Sequence, residues 1–150
     1  MLSDGWGMSK LSSPFIARSE QEMIEVGAAI AQCIEGPRVI CLVGELGAGK
    51  TTIAKGMIRA FAREPELEVS SPTFQYVSVY EGKTCPIAHF DLWRLEGAAQ
   101  FFELGLDEYC MGSIALVEWP DRIADYLPQN TLVVQISSFE DGAGRKIFVE

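Results

Sequence analysis

Apolar residues follow two different periods along this chain, and the switches between them mark its elements. Val39-Ile40-Cys41-Leu42-Val43 is an unbroken apolar run, short enough for a strand buried on both faces. Behind it, Ile53, Met57, Ile58 and Phe61 recur at helical spacing, which predicts a helix over 50–62 that Glu64-Pro65-Glu66 breaks. Upstream, Ser19-Glu20-Gln21-Glu22 has the form of a capping box. Met23, Val26, Ile30, Cys33 and Ile34 give the helix it opens one apolar face, and Gly36-Pro37 ends it. Downstream, strands are predicted at 74–80 and 86–91 around a turn at Glu81-Gly82-Lys83. A helix follows over 97–110 with Phe101, Leu104 and Phe102 toward the core, then an apolar strand at 114–118 and a short helix over 120–127. Strands at 132–136 and 146–149 complete the pattern. Residues 1–13 are rich in Gly and Ser and predict a flexible N-terminal extension. Residues 14–150 show no repeat and no linker, and read as a single domain. The alternation predicts an α/β fold, a predominantly parallel central sheet with helices on both faces.

The junction between the first strand and the second helix carries the chemistry. Gly44-Glu45-Leu46-Gly47-Ala48-Gly49-Lys50-Thr51 is the Walker A pattern, G-x-x-x-x-G-K-[ST], followed by Thr52. Its glycines let successive backbone N–H groups turn inward on phosphate oxygens, and the helix behind adds its positive N-terminal end. Lys50 would place an ammonium on the β- and γ-phosphates, and Thr51 would offer a hydroxyl to Mg²⁺. Strand, glycine loop and helix in that order predict a P-loop NTPase; a bare Gly-rich turn would not need the lysine and threonine.

Such a site requires an acid near the metal. Ile114-Ala115-Leu116-Val117-Glu118 offers one at the tip of a strand apolar on successive positions. In Ile87-Ala88-His89-Phe90-Asp91, Asp91 reads equally as a metal-shell carboxylate or a turn cap. His89, the only histidine, reads as a satisfied, half-buried residue. Ser70-Ser71-Pro72-Thr73 stands where switch loops of P-loop hydrolases stand, yet as a bare string it reads as a turn with a hydroxyl cap. Phe74, Tyr76, Phe90, Trp93, Phe101 and Phe102 read as core, whereas Trp119, wedged between Glu118 and Pro120, sits either in the core or at the mouth of the site.

Composition changes this picture in two respects. The net charge of −9 repels nucleic-acid phosphates, so strong standalone binding of RNA or DNA is not expected. Cys33, Cys41, Cys85 and Cys110 show no C-x-x-C spacing and read as reduced thiols, with Cys33 and Cys41 buried. No apolar run reaches the length of a membrane span and no leader-like pattern opens the chain, so the expectation is a cytoplasmic protein.

The motifs, taken in order, resemble one family. Gly-Glu-Leu-Gly-Ala-Gly-Lys-Thr-Thr at 44–52, Ser-Ser-Pro-Thr-Phe at 70–74, His-Phe-Asp-Leu-Trp-Arg-Leu at 89–95, Leu-Gly-Leu-Asp-Glu-Tyr at 104–109 and Val-Glu-Trp-Pro-Asp at 117–121 are similar to TsaE, formerly YjeE. The resemblance spans roughly residues 19 to 149. It implies a small bacterial ATPase, binding ATP or ADP with Mg²⁺, that helps form N6-threonylcarbamoyladenosine in tRNA beside the anticodon. It also implies the partners TsaB and TsaD and weak hydrolysis without them; with a net charge of −9, contact with tRNA is expected only through that complex. Residue by residue, it implies Walker A roles for Lys50 and Thr51, a metal-linked acid at Glu118 and a catalytic or metal-shell carboxylate at Asp91. It further implies a switch residue at Thr73 and nucleotide contacts from Trp119, Glu20 and Arg145. Trp93 departs from the family's usual Tyr. Two rival readings stand beside it: a small P-loop metabolite kinase, against which the few and scattered arginines speak, and a nucleotide-dependent interaction module without useful turnover.

Overall fold

The computed structural model describes residues 14–72 and 74–150. Among them, seven strands form one sheet: β1 (Phe15–Ala17), β2 (Arg38–Val43), β3 (Val77–Tyr80), β4 (Ile87–Asp91), β5 (Ile114–Glu118), β6 (Leu132–Ser138) and β7 (Arg145–Val149). Their order is β1-β7-β6-β2-β5-β4-β3. The helices are α1 (Glu20–Ala31), α2 (Lys50–Ala62) and α3 (Ala98–Glu103), joined by 3₁₀ segments at Leu106–Cys110 and Pro120–Tyr126. β6, β2, β5 and β4 run parallel, whereas β1–β7, β6–β7 and β3–β4 pair antiparallel. The sheet is therefore mixed rather than predominantly parallel. Short connections after β3 and β6 return the chain directly, which only an antiparallel pair allows.

β5 is buried at all five positions, as a central strand covered on both faces must be. Period two sends Ile114, Leu116, Ile87 and Leu42 to one face, where Met23, Ile30, Ile53 and Met57 of α1 and α2 cover them. Ala115, Val117, Ala88 and Phe90 go to the other, packed by Phe101, Leu106 and Ile123. Ser19 caps α1 by accepting the Glu22 N–H at 3.1 Å, while the Glu22 carboxylate accepts the Arg18 N–H at 2.7 Å, one residue earlier than a strict capping box. α1 and α2 cross at two glycines. A Cβ on Gly56 would stand 2.1 Å from the Ile24 carbonyl oxygen, and one on Gly27 2.4 Å from that of Ile53.

Several sequence expectations give way. The strand expected over 74–80 begins at Val77, because Tyr76 adopts φ 67° and leaves the extended region. The helix expected over 97–110 splits at Gly105, whose φ is 71°, into α3 and a 3₁₀ turn. Leu104 and Phe102 point outward in consequence, and Phe74 and Trp93 are exposed as well. The segment after β5 is 3₁₀ with a kink at Ile123 rather than a regular helix. α2, by contrast, spans the expected 50–62 and closes on Arg63, a left-handed C-cap directly before the expected breaker. The pattern gave no hint of β1. Cys41 is buried, but Cys33 only half so. The expected extension, 1–13, lies outside the described residues. No described helix is long and apolar enough to cross a membrane.

Candidate functional site

β2 and α2 are joined by the glycine loop, and the loop's geometry explains its composition. Gly47 and Gly49 have φ of 82° and 105°, which side chains beyond glycine rarely adopt. Gly44 lies against β6: a Cβ there would meet the Ile136 carbonyl oxygen at 2.8 Å. Arg145, the first residue of β7, braces the loop from outside by donating Nε–H to the Ala48 carbonyl at 3.0 Å. Glu45 and Leu46 form the exposed tip of the loop, while Ala48 is buried beneath it.

Lys50 opens α2 with its side chain folded over the loop. Nζ donates to the carbonyls of Gly44 at 2.6 Å and Glu45 at 2.9 Å, and lies 4.1 Å from the centre of the Trp119 ring. Lys50 as a whole is 5% exposed. Burial holds its proton affinity below the usual lysine range, against the pull of Glu118 and Asp91 in the other direction. One residue on, the Thr51 hydroxyl donates to the Glu118 carboxylate, 3.0 Å from Oε2 and 3.2 Å from Oε1. Glu118 reaches it because Ile114, Leu116 and Glu118 share the α2 face of β5.

Asp91 is the register neighbour of Glu118 on the adjacent parallel strand. Its carboxylate accepts the Ser71 hydroxyl at 2.8 Å and the Trp93 backbone N–H at 3.1 Å. The second bond is a local turn cap, so both sequence readings of Asp91 have a structural counterpart. Trp119 takes φ 59° and packs against Trp93 with ring centres 4.5 Å apart and planes tilted by 50°. Lys50, Thr51, Asp91, Glu118 and Trp119 thus line one cleft of about 440 Å³. On the other side of the loop, Glu20 and Arg145 line a second cleft of about 420 Å³ with Met23, Gly49 and Thr52. Thr52 and Gly49 border both. Thr73 lies outside the described residues; its neighbour Ser71 faces the first cleft.

Sequence reasoning missed His89. It is not half-buried but fully enclosed, with Nε2 2.7 Å from Glu118 Oε2. Its place two residues before Asp91, and so on the same strand face, was the available signal.

Fold and site together define an α/β protein whose glycine loop joins a central parallel strand to a helix, with carboxylates from two neighbouring strand tips at its mouth. The sequence model of threonylcarbamoyl adenosine biosynthesis protein TsaE matches residues 17–147, and the chain belongs to this family. It is 33% identical over 128 residues to the tRNA threonylcarbamoyladenosine biosynthesis protein TsaE of Treponema pallidum, covering 85% of this chain and 93% of that one. With the protein of the same name from Bacillus subtilis it shares 39% over 69% of this chain and 63% of the relative. The crystal structure of Bacillus subtilis YdiB superimposes with a TM-score of 0.70 at 28% identity, covering 91% of this chain and 83% of that one.

Proposed function

We propose that the protein is a P-loop NTPase that binds and hydrolyses ATP in the service of N6-threonylcarbamoyladenosine formation in tRNA, acting in the cytoplasm with TsaB and TsaD. Family membership supports the pathway, since relatives carry that name. The observation that carries the chemistry is the meeting of Lys50, Thr51 and Glu118 at the junction of β2, α2 and the β5 tip.

Lys50 now donates to two loop carbonyls, and γ-phosphate oxygens would compete for the same ammonium with a stronger, charge-assisted bond. The loop N–H groups and the start of α2 would hold the remaining phosphate charge. Among the described residues no three His, Cys, Asp or Glu cluster as a metal cage. The donor set suits Mg²⁺ nonetheless: that ion takes one or two carboxylates and completes its shell with phosphates and water. Thr51 and Glu118, both oxygen donors in mutual contact, would hold it. When bound, Mg²⁺ would neutralise charge developing on the phosphates. Asp91, fixed by Ser71 and the Trp93 N–H, would orient the attacking water. Glu20 and Arg145, across the loop, would flank the nucleoside end.

The test is Lys50→Ala. ATP affinity by calorimetry should fall at least tenfold, and turnover with TsaB and TsaD present should vanish. Near-normal affinity and turnover in that variant would remove the reading.

A further inference from the structure

Glu118 is held from two sides. Thr51 contacts it from the loop, and His89 contacts it from below, with Nε2 2.7 Å from Oε2. His89 lies beside Leu116 in the parallel ladder and Asp91 beside Glu118, so the imidazole reaches the carboxylate from one pleat deeper in the sheet. Its other nitrogen, Nδ1, is buried with no hydrogen-bond partner among the described residues. An ionised carboxylate only accepts, so in this contact Nε2 carries the hydrogen. A buried nitrogen without a partner works against stability, and an aliphatic side chain there would avoid that penalty. The ring is therefore not explained by packing, and what it does is done through Nε2.

The last torsion of a glutamate is broad and nearly two-fold, so nothing intrinsic fixes where its oxygens point. Lys50 is close enough to Glu118 for their charges to interact and would draw a loose carboxylate toward itself. We propose that His89 is a positioning residue. Its Nε2–H clamps Oε2 of Glu118 and so fixes the plane of the carboxylate, whose two oxygens the Thr51 hydroxyl spans at 3.0 and 3.2 Å, leaving Oε1, which the imidazole does not hold, for a divalent cation that Thr51 would share. This rests on the ATPase reading for its cation, but the clamp itself does not.

The chain has one histidine, so ¹⁵N spectroscopy of the imidazole can be read without assignment variants. The expected result, in the protein without nucleotide, is an Nε2–H tautomer with a slowly exchanging proton whose exchange is accelerated by Glu118→Ala. An Nδ1–H tautomer, or an Nε2 proton indifferent to Glu118→Ala, overturns the clamp whatever the protein hydrolyses. The second arm measures Mg²⁺ activation of ATP turnover with TsaB and TsaD. His89→Leu should lower kcat by about 10–100-fold and raise the Mg²⁺ concentration for half-activation, with little change in KM for ATP. His89→Gln, whose amide N–H can serve the same oxygen, should recover most of the loss. Equal defects in both variants, or none in His89→Leu, would also overturn it. If the wild-type protein itself shows no Mg²⁺-dependent turnover, the ATPase reading fails and the tautomer alone decides the clamp.

Discussion

The ammonium of Lys50 stands between influences that pull its proton affinity in opposite directions. Burial lowers it, and Glu118 and Asp91 raise it, with burial the larger effect. Because the folded state disfavours the charged form, the stability contributed by this residue is lost as pH falls from the ordinary lysine value through the lowered one. Phosphate arriving at the loop would add negative charge and raise the pKa again. At alkaline pH, between the lowered and the restored values, ATP binding should take up a proton, and affinity should fall as pH rises through that window. Calorimetry in buffers of different ionisation enthalpy measures this; an uptake that persists in Lys50→Met would assign it elsewhere. Lys50, Thr51 and Glu118 were legible in the sequence because a fixed spacing and a strand tip define each. His89 was not. Its contact crosses from β4 to β5, and which strands are neighbours is decided by the whole sheet.

The contact between α1 and α2 depends on two residues with no side chain. At Gly56 the obstacle to a methyl group is the backbone of Ile24, which cannot rotate away as a side-chain end could. Gly56→Ala should therefore destabilise the protein by about 1–3 kcal/mol as the helices are forced apart. Urea denaturation measures this; a midpoint equal to wild type would mean that the helices separate freely. Glu20 and Met23 at the start of α1 line the cleft beside Gly49, so the same variant should also weaken nucleotide binding. At this scale the sequence was readable where apolar spacing was long and regular, as in α1, α2, β2 and β5. It failed where one left-handed residue interrupts a pattern that otherwise continues, as at Tyr76 and Gly105. The three-residue β1 is too short to show a period, and it exists because β7 offers it an edge.

For the molecule as a whole, charge sets the terms of encounter. A net charge of −9 on 150 residues opposes approach to a polyanion, so the isolated protein should show negligible tRNA binding at physiological salt. TsaB and TsaD should bind it with an affinity that differs between a non-hydrolysable ATP analogue and ADP, because a ligand shifts association only by distinguishing two states. Filter binding with tRNA and calorimetry with the partner pair test the two halves; tight tRNA binding alone, or equal affinities in both nucleotide states, would contradict this arrangement.

The close contact of the Trp93 and Trp119 rings has an optical consequence. Trp119 lies 4.5 Å from Trp93 on one side and 4.1 Å from the Lys50 ammonium on the other, and the only other tryptophan in the chain is Trp6. A cation held against an indole perturbs its excited state, so withdrawing the ammonium toward phosphate should alter the emission of the pair. In a Trp6→Phe background the fluorescence should change on titration with ADP. It should stay flat in Lys50→Ala at matched nucleotide saturation. The protein would then carry its own dye-free gauge of loop occupancy, usable on the millisecond scale of a stopped-flow instrument.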